Sequence, residues 1–312
     1  MRVTASSFTH VLRSQLERLS TEQARLQTQA GTGQRFHLAS EDPRAMRKVL
    51  DLQNEIKSIS QYEKNIGTLK DTLTASFAAI KDLKTISDRA GEIATRADSL
   101  HTPLELRALA TEVDQLLERG VQLANTRHQG NYIFGGTKNT SPPFDADATR
   151  NAQNQITSVA YNGAATVSQS EIAENVKVSV TIPGANTTGT GSRGLLQDTQ
   201  SGGDLLGHLI SLRDHLLSDN TVAIRDTDLK NLLKDEENII YHFGTVGAEQ
   251  TRLDTASSIA NTRKISLDSL VSSESDADLA RTLVSLSEIQ NAYLAALKTG
   301  GTILSQSLLD YI

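Results

Sequence analysis

Cysteine and tryptophan are absent from the 312 residues, and only five prolines, two methionines and a 4% share of aromatics are present. Without cysteine there can be no thiolate zinc site, no iron–sulfur cluster and no disulfide framework. The same lack suits a chain that must pass unfolded through a narrow export channel. So few rings argue against the core of a compact enzyme of this length. No apolar run approaches the roughly 18–20 residues that span a bilayer, so membrane insertion is not expected. The opening residues MRVTASSF carry no apolar segment ahead of a cleavage site, which predicts export, if any, without a cleaved signal peptide. The formal net charge of -6 leaves no dominant basic patch, and nucleic-acid binding is not expected.

What is present is long-range apolar periodicity. Phe8, Leu12, Leu16, Leu19, Leu26 and Ala30 step by four and three once polar Gln23 takes one inner slot, and Gly31-Thr32-Gly33 ends the segment. A second helix is predicted from Pro43, with Asp42 as its cap. Its stripe runs from Val49 through Ile56, Ile66, Leu73, Ile80 and Ile86 to Ile93, with no proline from Arg44 to Thr102. At 1.5 Å per residue such a helix reaches roughly 80 Å. After a turn at Pro103, helical spacing resumes from Glu105 to about Gln129.

Composition changes near Gly130. Residues 130–202 are rich in Gly, Asn, Thr and Ser. Val176, Val178, Val180 and Ile182 alternate with polar residues, which predicts a half-buried strand ended by Pro183-Gly184. Asn162-Gly163 predicts a hairpin turn joining 155–161 to 164–172. That hairpin is expected to cover the strand's apolar face, leaving the helices independent of the insert. Helical spacing returns at Leu205–Leu217 and Leu229–Ile240, then at Leu253, Ala256, Ala260, Arg263, Leu267 and Leu270. The last stripe contains Leu279, Leu283, Leu286, Ile289, Tyr293, Ala296, Ile303, Leu304 and Leu308, preceded by a Ser275-Asp276-Ala277-Asp278 start signal.

The expected fold is mainly α: an elongated antiparallel helical bundle or coiled coil made by pairing the N- and C-terminal segments, with a small β-rich insert. Three parts are expected, a terminal coiled-coil core (1–41 with 273–312), a helical rod (42–137 with 205–272) and an outer insert (138–204). Leu12, Leu16 and Leu19 are expected to pack on Leu283, Leu286 and Ile289.

No constellation of catalytic, cofactor-binding or metal-ligating residues emerges, and no enzyme is predicted. The seven histidines lack metal-binding spacing. His208 and His215 are seven apart, but no carboxylate stands beside them at ligand spacing. Asp145-Ala146-Asp147 lacks the later ligands of a calcium loop. Asp276 and Asp278 read as helix-start residues rather than paired catalytic acids.

Three stretches resemble the flagellin family. Gly33-Gln34-Arg35-Phe36 leading to Ser40-Glu41-Asp42-Pro43-Arg44-Ala45 is similar to that family's turn between its first two helices, with Glu41 where Asp is more usual. Asn131-Tyr132-Ile133-Phe134-Gly135-Gly136-Thr137, followed by Pro142-Pro143-Phe144, resembles the passage from rod to outer domain in subunits of the hook–filament junction. Asp276-Ala277-Asp278-Leu279-Ala280 through Leu286-Ser287 to Leu308-Leu309-Asp310-Tyr311-Ile312 resembles the family's C-terminal helix. The resemblance implies a secreted subunit of the bacterial flagellum. Its partners would be copies of itself, the first hook-associated protein, flagellin or the filament cap, and an export chaperone. The implied assembly interface is Phe8, Leu12, Leu16, Leu19, Leu26, Leu279, Leu283, Leu286, Ile289, Tyr293, Ile303 and Leu308. Filament flagellin and a cytoplasmic coiled-coil adaptor are the alternatives.

Overall fold

A computed structural model of the chain describes residues 5–97, 101–146 and 150–309, with side chains described between residues 10 and 302. The chain is mainly helical. In order come α1 (Ala5–Thr32), α2 (Pro43–Arg96), α3 (Pro103–Ala124), nine short strands between Arg127 and Asp204, α4 (Leu205–Leu217), a single turn α5 (Thr221–Ala223), one π turn (Ile224–Asp228), α6 (Leu229–Ser275) and α7 (Leu279–Leu309). The boundaries follow local chemistry. Thr102 caps α3 with Pro103 at its first position, and the Glu105 side chain returns to the Thr102 backbone in a capping box. Asp204 caps α4 through the Gly207 N–H.

Two compact units divide the chain. One holds the residues up to Ser58 and those from Thr262 onward; the other is Ile59–Asn261. The second contains the larger core. Ile66, Leu73, Ile80, Leu83, Ile86 and Ile93 of α2 meet Leu106, Val113 and Leu117 of α3 and Leu205, Leu209, Leu212 and Leu216 of α4. α3 and α4 run antiparallel and close together: a Cβ on Gly120 would touch the Leu206 side chain at 3.1 Å. Within the same unit α6 lies along α2, with Phe77 and Phe243 rings 4.5 Å apart and Lys70–Asp254 and Lys84–Glu236 ion pairs.

The β segment departs from the sequence expectation in three ways. Helix α3 stops at Ala124, and Arg127–Tyr132 instead forms a two-residue hairpin whose turn, Gln129-Gly130, has positive φ at both positions (49° and 87°). Tyr161 does not turn back at Asn162-Gly163; it pairs with Phe144, and the Ala164 N–H goes to the Gly135 carbonyl. Strand Val176–Val178 pairs with Ser170–Ala173 across a turn in which Asn175 takes φ 60°. The expected strand is cut short at Val178 and Val176 is 39% exposed, but Val178, Val180 and Ile182 are buried in alternation. They join the helical core directly, together with Ile156, Ile172, Leu195 and Leu196. A hairpin was expected to cover them; helices do.

The Asn131–Thr137 motif sits at the root of this segment. Phe134 is fully buried, and its carbonyl accepts both the Gly184 N–H (2.8 Å) and the Tyr161 hydroxyl (3.1 Å). A Cβ on Gly136 (φ 61°) would collide with the Ala164 carbonyl. Asn125, just past α3, grips Phe144 by both backbone groups, donating to its carbonyl at 2.8 Å and accepting its N–H at 3.0 Å.

Candidate assembly surface

The first unit is built around the pairing of α1 with α7. Two marks fix their antiparallel register. Gln34 and Asp276 form an isolated β-bridge at one end, and at the other the Leu12 side chain occupies the space where a Cβ on Gly300 would lie. The shielded positions on α1 include Leu12, Leu16, Leu19, Gln23, Leu26 and Ala30; those on α7 include Thr282, Leu286, Ile289, Tyr293, Ala296 and Gly300. Each series steps by four and three, the spacing of a coiled-coil seam. In this register Leu12 faces Gly300, Leu19 faces Tyr293 and Leu26 faces Leu286. Leu12, Leu16 and Tyr293 line one shared groove.

The register corrects the expected pairing. Leu12 meets Gly300 and shares a groove with Leu16 and Tyr293, and counting along the two helices from there sets Leu286 and Ile289 opposite the Gln23–Leu26 stretch rather than opposite Leu12–Leu19. Leu279 and Leu283 leave the seam altogether, at 47% and 56% exposure. Counting back from Tyr293 through Ile289 and Leu286 by four and three reaches Thr282, which is buried; Leu283 stands one residue, about 100°, around the helix. Thr282 and Gly300 were missed because neither is apolar in the usual sense, although the four–three frame points at both. Phe8, Ile303 and Leu308 lie outside the described side chains.

Leu279 and Leu283 belong to a second face. With Leu294 (63% exposed) and Leu297 they fall within about 60° of one another around α7, beside the seam and partly exposed. Val11 of α1 and Leu38 of the following turn are likewise exposed.

The turns that close the pair are locked to each other. Arg35 N–H donates to the Ser275 carbonyl (2.6 Å), the Ala277 N–H donates to the Gly33 carbonyl (2.8 Å), and the Arg35 guanidinium reaches the Glu274 carbonyl (3.1 Å) and Asp42 (3.3 Å). Lys48 pairs with Glu274. Gly33 supplies the positive φ (72°) that ends α1. Phe36 is buried against Ala45, Val49, Met46 and Val271. Glu41 accepts the His37 and Leu38 N–H groups, and these hydrogen bonds hold its carboxyl below the ordinary range. Asp42 caps α2 through the Ala45 N–H (3.0 Å). The Gly33–Ala45 motif is thus a clamp joining the α1–α2 turn to the α6–α7 turn.

Of the histidines, His208 and His215 each find a carboxylate from a distant segment, correcting the sequence expectation: His208 Nδ1 lies 2.7 Å from Asp235 and His215 Nδ1 2.7 Å from Asp228. Among the described residues no three or more His, Asp or Glu side chains group at metal-binding distance. No helix among the described residues is long and apolar enough to cross a membrane.

Helical ends paired through four–three seams, with a β segment between them, define a mainly helical fold. Residues 5–139 match the family described as the bacterial flagellin N-terminal helical region. More particularly, the fold is shared with solved structures of hook-associated proteins. A putative flagellar hook-associated protein from Vibrio parahaemolyticus aligns with TM-score 0.65 and 20% identity over 76% of this chain and all of that one. FlgL from Bacillus cereus aligns with TM-score 0.56 and 22% identity over 71% of this chain and 99% of that one. The flagellar junction protein FlgL from Legionella pneumophila aligns with TM-score 0.51 and 15% identity over 67% and 99%. No curated protein matches the sequence.

Proposed function

We propose that this protein is a structural subunit of the bacterial flagellum that forms the junction between hook and filament. One observation carries the reading. Helix α7 has an apolar seam closed by α1 and, beside it, a second group of apolar residues, Leu279, Leu283, Leu294 and Leu297, each left at 45% exposure or more by the described residues. A helix with a second exposed apolar group beside its seam is built to pack against further helices. The flagellin match over 5–139 and the likeness to junction-protein structures support copies of itself and neighbouring flagellin-type subunits as those helices.

In this reading the terminal coiled coil (1–41 with 273–312), the rod (42–137 with 205–272) and the outer insert (138–204) are successive parts of the subunit. The first hook-associated protein lies on one side, and flagellin or the filament cap on the other. The chain is exported unfolded through the flagellar type III apparatus with a dedicated chaperone, and lies outside the cell. The absence of cysteine suits that route.

The experiment is a double substitution, Leu286→Asp with Ile289→Asp, in a motile strain. Each side chain contributes roughly 1.5–3 kcal/mol by burial, and the introduced carboxylates have no partners in the seam. Cells should keep hooks, lose filaments and shed flagellin into the medium. A fully motile double mutant would contradict the assignment.

A further inference from the structure

The inner face of α6 and the π turn before it carry two deeply buried carboxylates, Asp228 at 0% and Asp235 at 2% exposure. A buried charge needs donors. Asp235 accepts the backbone N–H of Asp204 at 2.7 Å and faces His208 Nδ1 at 2.7 Å. Asp228 accepts the Ser211 hydroxyl at 2.8 Å and faces His215 Nδ1 at 2.7 Å. His208, Ser211 and His215 step by three and four along one face of α4, and the two aspartates are seven apart. The helices therefore meet at two matched rungs. The π turn Ile224–Asp228 ends at the first of them.

No lysine or arginine among the described residues pairs with either carboxylate. The cations on the elements packed around them are engaged elsewhere. Arg213 of α4 pairs with Asp114 of α3 and with Asp214. Lys84 of α2 pairs with Asp88 and with Glu236 of α6. Arg225 in the π turn pairs with Asp226. Lys234 reaches Asn231 and opposes the His208 cation, while Asp204 favours it. Asp235 thus faces His208 rather than a fixed cation, and histidine is the side chain whose charge changes near neutral pH.

We propose that the His208–Asp235 pair is a proton-dependent latch that, beside the His215–Asp228 hydrogen bond, holds α4, and through Asp204 the returning end of the β insert, against α6. Burial of the His208 ring works against its protonated form, but the hydrogen bond and charge of Asp235 outweigh it, so its pKa stands above the ordinary histidine value. Burial also pushes Asp235 up. Both directions mean that the folded latch holds protons more tightly than the unfolded chain. The His208 contribution is fully present below the unfolded histidine pKa, about 6.5, and is lost as pH rises through the higher folded value. Above that, a neutral imidazole still donates from Nδ1, but the buried carboxylate is no longer balanced, and the rung loosens. His242, further along α6 with Nε2 3.1 Å from the Gly194 carbonyl, has its pKa lowered by burial and acts in the opposite sense; Asp198 and Arg193 face it.

Hydrogen exchange on the full chain at pH 5.5 and 8.5, corrected for the intrinsic rate, tests this. Protection of the α4 amides (205–217) should be lower at pH 8.5 than at pH 5.5. Protection of α2 amides 66–94 should change much less. In the His208→Gln, His215→Gln variant, which keeps His242, the α4 difference should vanish. An unchanged difference in that variant, or none in the parent, overturns the latch. Should the variant fail to fold, NMR titration of the parent decides: a His208 midpoint above 6.5 supports the latch and one below it refutes it.

Discussion

Gly300 shows how much one position sets in a two-helix seam. Leu12 fills the space above it, so a side chain there must displace the Leu12 side chain or part the helices. Its neighbour Gly301 has nothing within reach of an added Cβ. Gly300→Val should therefore cost roughly 1–3 kcal/mol by overpacking and impair assembly. Gly301→Ala should leave assembly intact and stabilise the helix by roughly 0.5–1 kcal/mol. Filament counts and thermal melts of the pair check both, and equal effects at the two sites would contradict the register. Arg213 is the other decisive residue. Buried at 1% exposure, it donates to Asp114 (3.0 Å), to the Ile156 carbonyl (2.7 Å) and to Asp214. Arg213→Leu should destabilise the second unit by an amount near the low end of roughly 3–5 kcal/mol, because Asp214 is already solvated. Denaturant unfolding measures it. Neither role was legible in the sequence: Gly300 reads as a flexible point in a helix, and Arg213 as a solvated charge in a Leu-rich stripe.

The elements divide into those whose period announces them and those whose pairing is remote. Helices α1, α2 and α7 carry four–three stripes over many turns, and their extents follow from the spacing and from Gly33, Asp42 and Pro43. The insert is different, because most of its strands are only two residues long and their partners lie across loops. Asn162-Gly163 has the composition of a hairpin turn, yet Tyr161 is drawn to Phe144, ring centroids 5.0 Å apart, and its hydroxyl to the Phe134 carbonyl. A tertiary aromatic contact overrides the local signal. One consequence reverses a sequence expectation. Removing 145–193 would take Ile156, Ile172, Val178, Val180 and Ile182 out of the core. At roughly 1.5–3 kcal/mol each, this is comparable with the whole stability of a domain. The deletion, bridged by Gly-Ser, should abolish the cooperative melt of the second unit in circular dichroism. A melt like that of the parent would show that the helices are self-sufficient after all.

For the whole molecule, mutual pairing of the two chain ends was readable from matching heptads, while the frame of the C-terminal one was not, since Thr282 rather than Leu283 holds the inner slot. The arrangement leaves α1 and α7 as a pair, with only Leu26, Thr282 and Gly300 deeply buried among the described seam side chains. Two helices with one shared seam bury little apolar surface against the ordering entropy of both. Their order should accordingly depend on neighbours that cover Leu279, Leu283, Leu294 and Leu297. Hydrogen exchange of amides 12–26 and 286–296, compared between the free chain and assembled flagella, tests this dependence most directly. The account predicts weak protection in the free chain and a rise of about a hundredfold or more on assembly. Strong protection in the free chain, unchanged in the flagellum, would contradict it.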